Sequence, residues 1–185
     1  KAADGAMYAA KRNRALQNGE VARRLDDRVS AIAADLVPLL TSPGHLDEKL
    51  KLVGERLSTG TGYDAVDCQI FRSHGLSAGG TLREGANDAL AVGWRAEQLS
   101  HSDIRQGPIN LILAKTRRPI ILEDLSSDGR LTLTERALLA QAGLQSAIIA
   151  PMLWDGELGG TLAVARKRRA AFDPRDAEFL AGVAN

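Results

Sequence analysis

Residues 146–166 read SAIIAPMLWDGELGGTLAVAR, and this stretch decides the fold. Two apolar runs, Ser146–Leu153 and Leu158–Arg166, flank Trp154-Asp155-Gly156. Asp-Gly between apolar runs is a strong short-range hairpin signal, because both residues tolerate the positive φ that a tight turn between strands requires. The hairpin puts Ile148, Leu162 and Val164 into a core, so an antiparallel pair lies near the centre of the domain.

Outward from that hairpin, Tyr63 to Arg72 reads as another strand, with Val66, Cys68 and Ile70 on one face and Asp67 and Gln69 on the other. A turn at Ser73-His74-Gly75 leads into a strand around Leu76–Arg83, which completes a second hairpin. Helices separate these pairs. His45–Arg56 carries Leu46, Leu50, Val53 and Leu57 at helical spacing. Pro108 suits the first position of a helix that presents Ile109, Ile112 and Leu113 and is stopped by Pro119. Ile120-Ile121-Leu122 forms a short buried strand. Thr132-Leu133-Thr134-Glu135 matches a capping box for a helix through Ala142, with Gly143 as its C-terminal cap. Asp173-Pro174-Arg175-Asp176 opens a last helix, striped by Leu180 and Val183, that reaches Asn185 without a stop signal and reads as cut from a longer chain. Strand hairpins separated by helices predict an α+β fold, an antiparallel sheet with helices packed on it. Residues 84–107 have no clean period and contain Gly85, Asn87, Gly93 and Gly107, which predicts a long irregular excursion of the kind that tends to be functional.

Ser42-Pro43-Gly44 separates this domain from a different kind of sequence. Ala22, Leu25, Val29, Ile32, Leu36 and Leu39 follow a 3-4 spacing, flanked by charges of both signs. So narrow a stripe on a long N-terminal linker helix needs a cover, either a second copy in a parallel coiled coil or the surface of the following domain. The dimer is the reading adopted, through helix 16–40 with Leu25, Val29, Ile32 and Leu36 at the seam, and secondarily through the helix from Pro174. Pro38 is expected to kink or end the linker helix.

The 185 residues hold 24 Lys+Arg against 23 Asp+Glu, a balance that leaves no electrostatic footprint for nucleic acid or an acidic membrane. The one basic cluster, Arg166-Lys167-Arg168-Arg169, reads as a solvated loop. No apolar run approaches the ~18 residues of a membrane span, and the lone Cys68 fits a reducing, cytoplasmic setting. No phosphate-binding loop, His-Glu-x-x-His or Gly-x-Ser-x-Gly motif occurs. His45, His74 and His101 have no carboxylates spaced to complete a metal triad, so no catalytic or metal site is expected and no cofactor is implied. Cys68, on the apolar face of its strand, is expected to be an inert small hydrophobe.

Gly107-Pro108-Ile109, Arg118 to Asp124, Asp128-Gly129-Arg130, Gly143 to Ala147, Pro151-Met152, Asp155 to Leu162 and the closing Phe172-Asp173-Pro174-Arg175-Asp176 with Phe179-Leu180 together resemble a GAF domain over residues 45–185. Residues 1–14, which contain Ala3-Asp4-Gly5-Ala6-Met7-Tyr8-Ala9-Ala10-Lys11, are similar to the last helix of GGDEF diguanylate cyclase domains, although that family's signature loop is absent. The resemblance implies a remnant of a GGDEF-like domain at 1–14, a helical linker at 15–44 and a GAF-like domain at 45–185 with a central antiparallel sheet flanked by helices. It further implies a non-catalytic sensory or regulatory module of a signalling protein, covalently attached to signalling domains in a parent that makes cyclic di-GMP. A ligand-free dimerisation and spacer module is the competing reading.

The resemblance also implies where a small molecule of unknown identity would bind, between one face of the sheet and the segment covering it, here 84–118. That segment supplies Trp94, Arg105, Asn110 and His101 as pocket candidates. Asp124 and Asp128 are expected to be turn and cap residues. GAF members that reduce free methionine sulfoxide use several cysteines, those that hold bilins attach them through a cysteine after the central strands, and those that bind cyclic nucleotides carry an Asn-Lys-x-x-x-Phe pattern. None of these features is present.

Overall fold

The computed structural model describes residues 43–72, 75–82 and 107–185, together with 27, 30–32, 34–38 and 41. The elements are α1 (Leu46–Thr61), β1 (Ala65–Arg72), β2 (Gly75–Leu82), α2 (Pro108–Thr116), β3 (Ile120–Leu122), α3 (Leu133–Gln141), β4 (Ser146–Trp154), β5 (Glu157–Arg166) and α4 (Pro174–Ala184). The strands form one five-stranded antiparallel sheet in the order β2-β1-β5-β4-β3, as the α+β reading of the sequence requires. Expected and observed elements agree to within one to three residues except at α1.

The central hairpin turns where Asp-Gly allows it: Asp155 has φ 51° and Gly156 φ 79°, the positive values that join two right-twisted strands without splaying them. Trp154 ends β4, and the irregularity between Met152 and Leu153 brings its ring over Gly159, where an added Cβ would sit 1.6 Å from a ring carbon. Two helix starts form as their residues dictate. Thr132 accepts from the Glu135 amide at 3.1 Å while the Glu135 carboxylate accepts from the Thr132 amide at 2.7 Å. Asp173 and Asp176 repeat the exchange at the head of α4, with Pro174 in the first turn. Gly143, just beyond α3, has φ 70°.

Alternation along the strands divides the sheet into two unlike faces. Val66, Cys68, Ile148, Ala150, Leu162 and Val164 are buried together with Leu50, Val53 and Leu57 of α1 and Phe179 and Leu180 of α4. Ile70 is only partly buried but packs against that same core. The opposite face carries Ala65, Ala147 and Ala165 with Leu113 of α2, Leu122, Leu125, Leu131 and Leu144. The first face is lined by large side chains; the second is lined by smaller ones.

Two local expectations need correction. α1 does not stop near Arg56 but continues through Ser58-Thr59-Gly60-Thr61 to Gly62, whose φ of 72° ends it. Hydroxyls support this poorly helix-forming end: Thr59 donates to the Glu55 carbonyl at 2.8 Å and Thr61 to that of Leu57 at 2.6 Å, while Leu57 is fully buried, so tertiary packing overrides propensity. Pro38 and Thr41 are both helical, and the Thr41 hydroxyl donates to the carbonyls of Val37 and Pro38. The basic cluster is not uniformly solvated, because the Arg166 guanidinium lies 5.3 Å from both the Tyr63 and the Phe172 ring centres. Lys167, Arg168 and Arg169 are exposed.

Val164 is 1% exposed at the middle of the large-residue face. Val164→Ala is expected to lower the unfolding free energy by about 1–3 kcal/mol, read from urea denaturation, since the removed methyls leave a void that rigid strands cannot close.

Candidate functional site

The sheet's second face opens into a cleft of about 70 Å³. Its floor is Asp67 and Gln69 of β1, Thr161 and Ala163 of β5 and Ile149 of β4. One wall is the start of α2, Gly107 to Asn110, and the other runs from Arg130 to Thr132 and on to Glu135. The cleft exists because the floor residues of β5 are small, so the helices on that side stand off the sheet where Leu162 and Val164 fill the space on the other.

Polar groups on this floor are buried in the middle strands. Gln69 is 3% exposed and donates from Nε2 to the Asp67 carboxylate at 2.6 Å; Thr161 is 4% exposed. β1 and β5 are held close there, since a Cβ on Gly160 would fall 2.3 Å from the Gln69 carbonyl oxygen. On the wall, Arg130 is fixed by Asp128: Nε donates to one carboxylate oxygen at 2.8 Å, Nη2 to the other at 2.5 Å, and Nη2 also reaches the Ile121 carbonyl at 3.3 Å. These bonds hold the Asp128 carboxyl below the usual carboxylate range and raise Arg130 further. Asp128 is thus a positioning group for a wall residue.

Asp124 is a turn residue, as expected. It accepts from the backbone and hydroxyl of Ser126 at 3.0 and 2.6 Å and pairs with Arg169 at 3.2 Å, and the Ser126 bonds keep its carboxyl below the ordinary value.

Of the pocket residues expected from sequence, Asn110 lines the cleft. Trp94, His101 and Arg105 lie outside the described residues, as do Leu25 and Val29 of the linker. Leu36 is buried in the core of its own chain, 7% exposed beside α1 and α4, and Ile32 packs against that core. The sequence reading missed Asp67, Gln69, Thr161, Arg130, Thr132 and Glu135. The signal for two of them was present, since a central strand with Asp and Gln on one face asks what those groups bind.

Among the described residues no cluster of three His, Cys, Asp or Glu is placed to hold a metal, and no helix is long and apolar enough to cross a membrane. Cys68 is 4% exposed on the face away from the cleft, where burial, and secondarily the neighbouring Asp67 charge, pushes its thiol up to about 12.

With this geometry in view, the chain can be set beside known proteins. The sequence model of the GAF domain matches residues 45–185. No curated protein sequence matches the chain significantly. Among solved structures, the GAF domain of a phosphoenolpyruvate-protein phosphotransferase from Coxiella burnetii is similar at a TM-score of 0.59 and 20% identity, covering 85% of this chain and 88% of that one. A free methionine-R-sulfoxide reductase from Neisseria meningitidis, in complex with its substrate, is similar at 0.59 and 15% identity, over 86% and 83% of the two chains. The phycocyanobilin-bound GAF domain of a cyanobacterial phytochrome is similar at 0.56 and 12%, over 84% and 89%. At these identities the likeness establishes the fold alone.

The thiol makes a pH prediction. Because the folded chain keeps the Cys68 proton between the reference value of 9.0 and about 12 while the unfolded chain loses it, the folded state binds more protons in that window. Stability is therefore expected to fall as pH rises from 9.0 towards 12, and Cys68→Ala should remove that component of the slope in alkaline denaturation. A variant with an unchanged slope would contradict the burial of the thiol.

Proposed function

The chain belongs to the GAF family, and we propose that it acts as a non-catalytic sensory domain whose cleft takes a small polar ligand and whose helices pass the binding event to attached signalling domains. The observation that carries this reading is the buried polar floor. Gln69 and Thr161, each less than 5% exposed, lie under a cleft in strands where apolar residues would pack at lower cost. Gln69 is bonded to Asp67 through Nε2, while the Thr161 hydroxyl makes no hydrogen bond among the described residues and is the group that a ligand's own hydrogen bond would answer. α4 packs on the far face of the sheet, chiefly against β4, which also contributes Ile149 to the cleft floor, so a ligand that moves β4 also moves the seat of α4.

The sulfoxide reductase among the similar structures does not alter this reading. The only cysteine here faces α1 and α4, away from the cleft, with its thiol at about 12, so the cleft has no thiolate. The same placement argues against a thioether-linked pigment of the kind the phytochrome likeness would suggest. The ligand-free spacer reading is favoured by one observation, the modest 70 Å³ of the cleft, well below the several hundred of a drug-sized site.

The parent is proposed to be a cyclic di-GMP signalling protein, on the resemblance of residues 1–14, and the working unit a homodimer. Leu36 and Ile32 dock on their own domain, which leaves Leu25 and Val29 as the seam residues for a second copy. Sedimentation of the 185-residue chain is expected to give a dimer, and Leu25→Lys with Val29→Lys a folded monomer; a monomeric unmodified chain would exclude the dimer.

Native mass spectrometry of the protein purified from its own host tests the sensor. The expected result is a mass excess lost on denaturation, and the bare chain mass under gentle conditions would favour the spacer.

A further inference from the structure

We propose that the cleft binds a small zwitterion, an α-amino acid with a side chain of a few atoms, with its carboxylate at the start of α2 and Arg130 and its ammonium on the floor formed by β1 and β5. This rests on reading the cleft as a ligand site.

The anion end is built from two independent donors. α2 begins at Gly107 with no side-chain cap, Pro108 in the first turn and no acid there, and Gly107 to Asn110 line the cleft. The partial positive charge of that helix end is thus not answered by a capping side chain. The other helix start on the cleft, that of α3, is closed by the Thr132–Glu135 capping box and offers nothing comparable. Arg130 adds a second donor. Asp128 and the Ile121 carbonyl occupy Nε and Nη2, while Nη1 makes no hydrogen bond among the described residues. A guanidinium fixed on one edge and open on another is oriented in advance for a carboxylate.

The floor supplies the complementary end. The Thr161 hydroxyl makes no hydrogen bond among the described residues although the residue is 4% exposed. Gln69, committed through Nε2 to Asp67, lines the same floor and carries a second side-chain oxygen acceptor. Two oxygen acceptors at the base of a cleft suit a group with several N–H donors.

Charge then selects among small ligands. Asp67 and Glu135 bring two carboxylates to the cleft, and the single cation there, Arg130, is already paired with Asp128. A simple anion would meet this negative excess, while a simple cation would leave the α2 terminus and Nη1 unanswered. A zwitterion satisfies both ends, and the 70 Å³ restricts its side chain.

The test is a chemical-shift titration of the full chain, followed at the Thr161 amide and the Gln69 side-chain amide, with L-alanine, L-lactate and ethylamine as separate probes. Lactate keeps the carboxylate but not the ammonium, and ethylamine the reverse. L-Alanine is expected to bind at least tenfold more tightly than either, and Thr161→Val to weaken it severalfold without lowering the melting temperature. Equal binding of lactate or ethylamine, or no response to alanine, overturns the zwitterion. A small-metabolite extract separates the two levels of failure. If it moves these resonances where alanine does not, the ligand-site reading stands and the zwitterion falls; if it too leaves them unmoved, both fall.

Discussion

The ladder between β1 and β5, from Ala65 opposite Ala165 to Ile70 opposite Gly160, is the contact on which the rest of the structure depends. It joins two local hairpins whose strands lie far apart in sequence into one sheet, and it fixes a single register. Gly160 permits the closest approach, because any side chain there would enter the Gln69 carbonyl. A one-residue slip would turn Leu162 and Val164 towards the cleft and Thr161 and Ala163 into the large-residue core, inverting both faces at once.

From that register comes the division of labour across the sheet. One face, built from Val, Leu and Ile, is closed by α1 and α4 and supplies most of the burial that holds the domain together. The other holds small and polar residues along β1 and β5, and its helices leave a cleft at the point where polar groups are buried. β4, which contributes Ile149 to the cleft floor, is also the strand against which α4 chiefly packs on the other face.

Much of this was legible in the sequence, for reasons that differ by residue. Asp155-Gly156, the two capping boxes and the alternation in β1 are local signals, and local physics decided those elements. α1 was read too short because Leu57 is buried in the core and the Ser58 hydroxyl bonds the Tyr63 carbonyl beyond the helix end, contacts that no propensity encodes. The seam was half legible: the 3-4 spacing marked Ile32 and Leu36 as needing a cover, and their own domain provides it. The cleft was the least visible feature. Asn110 could be placed from the resemblance, but Thr161 and Arg130 become neighbours only once β5 and the loop before α3 are brought together. Arg166, a loop cation by its neighbours in sequence, proves to lie over the paired rings of Tyr63 and Phe172.

The central claim is that adjacent residues of β5 serve different ends, one stability and the next the site. The most direct measurement is urea unfolding of Thr161→Val beside Leu162→Ala, two neighbours that are both less than 5% exposed. Leu162→Ala is expected to lose about 2–5 kcal/mol through the cavity it opens. Thr161→Val, which exchanges an unpartnered hydroxyl for a methyl of the same shape, is expected to be neutral or stabilising. A loss at Thr161→Val comparable to that at Leu162→Ala would show that both faces are ordinary core, and would contradict the account.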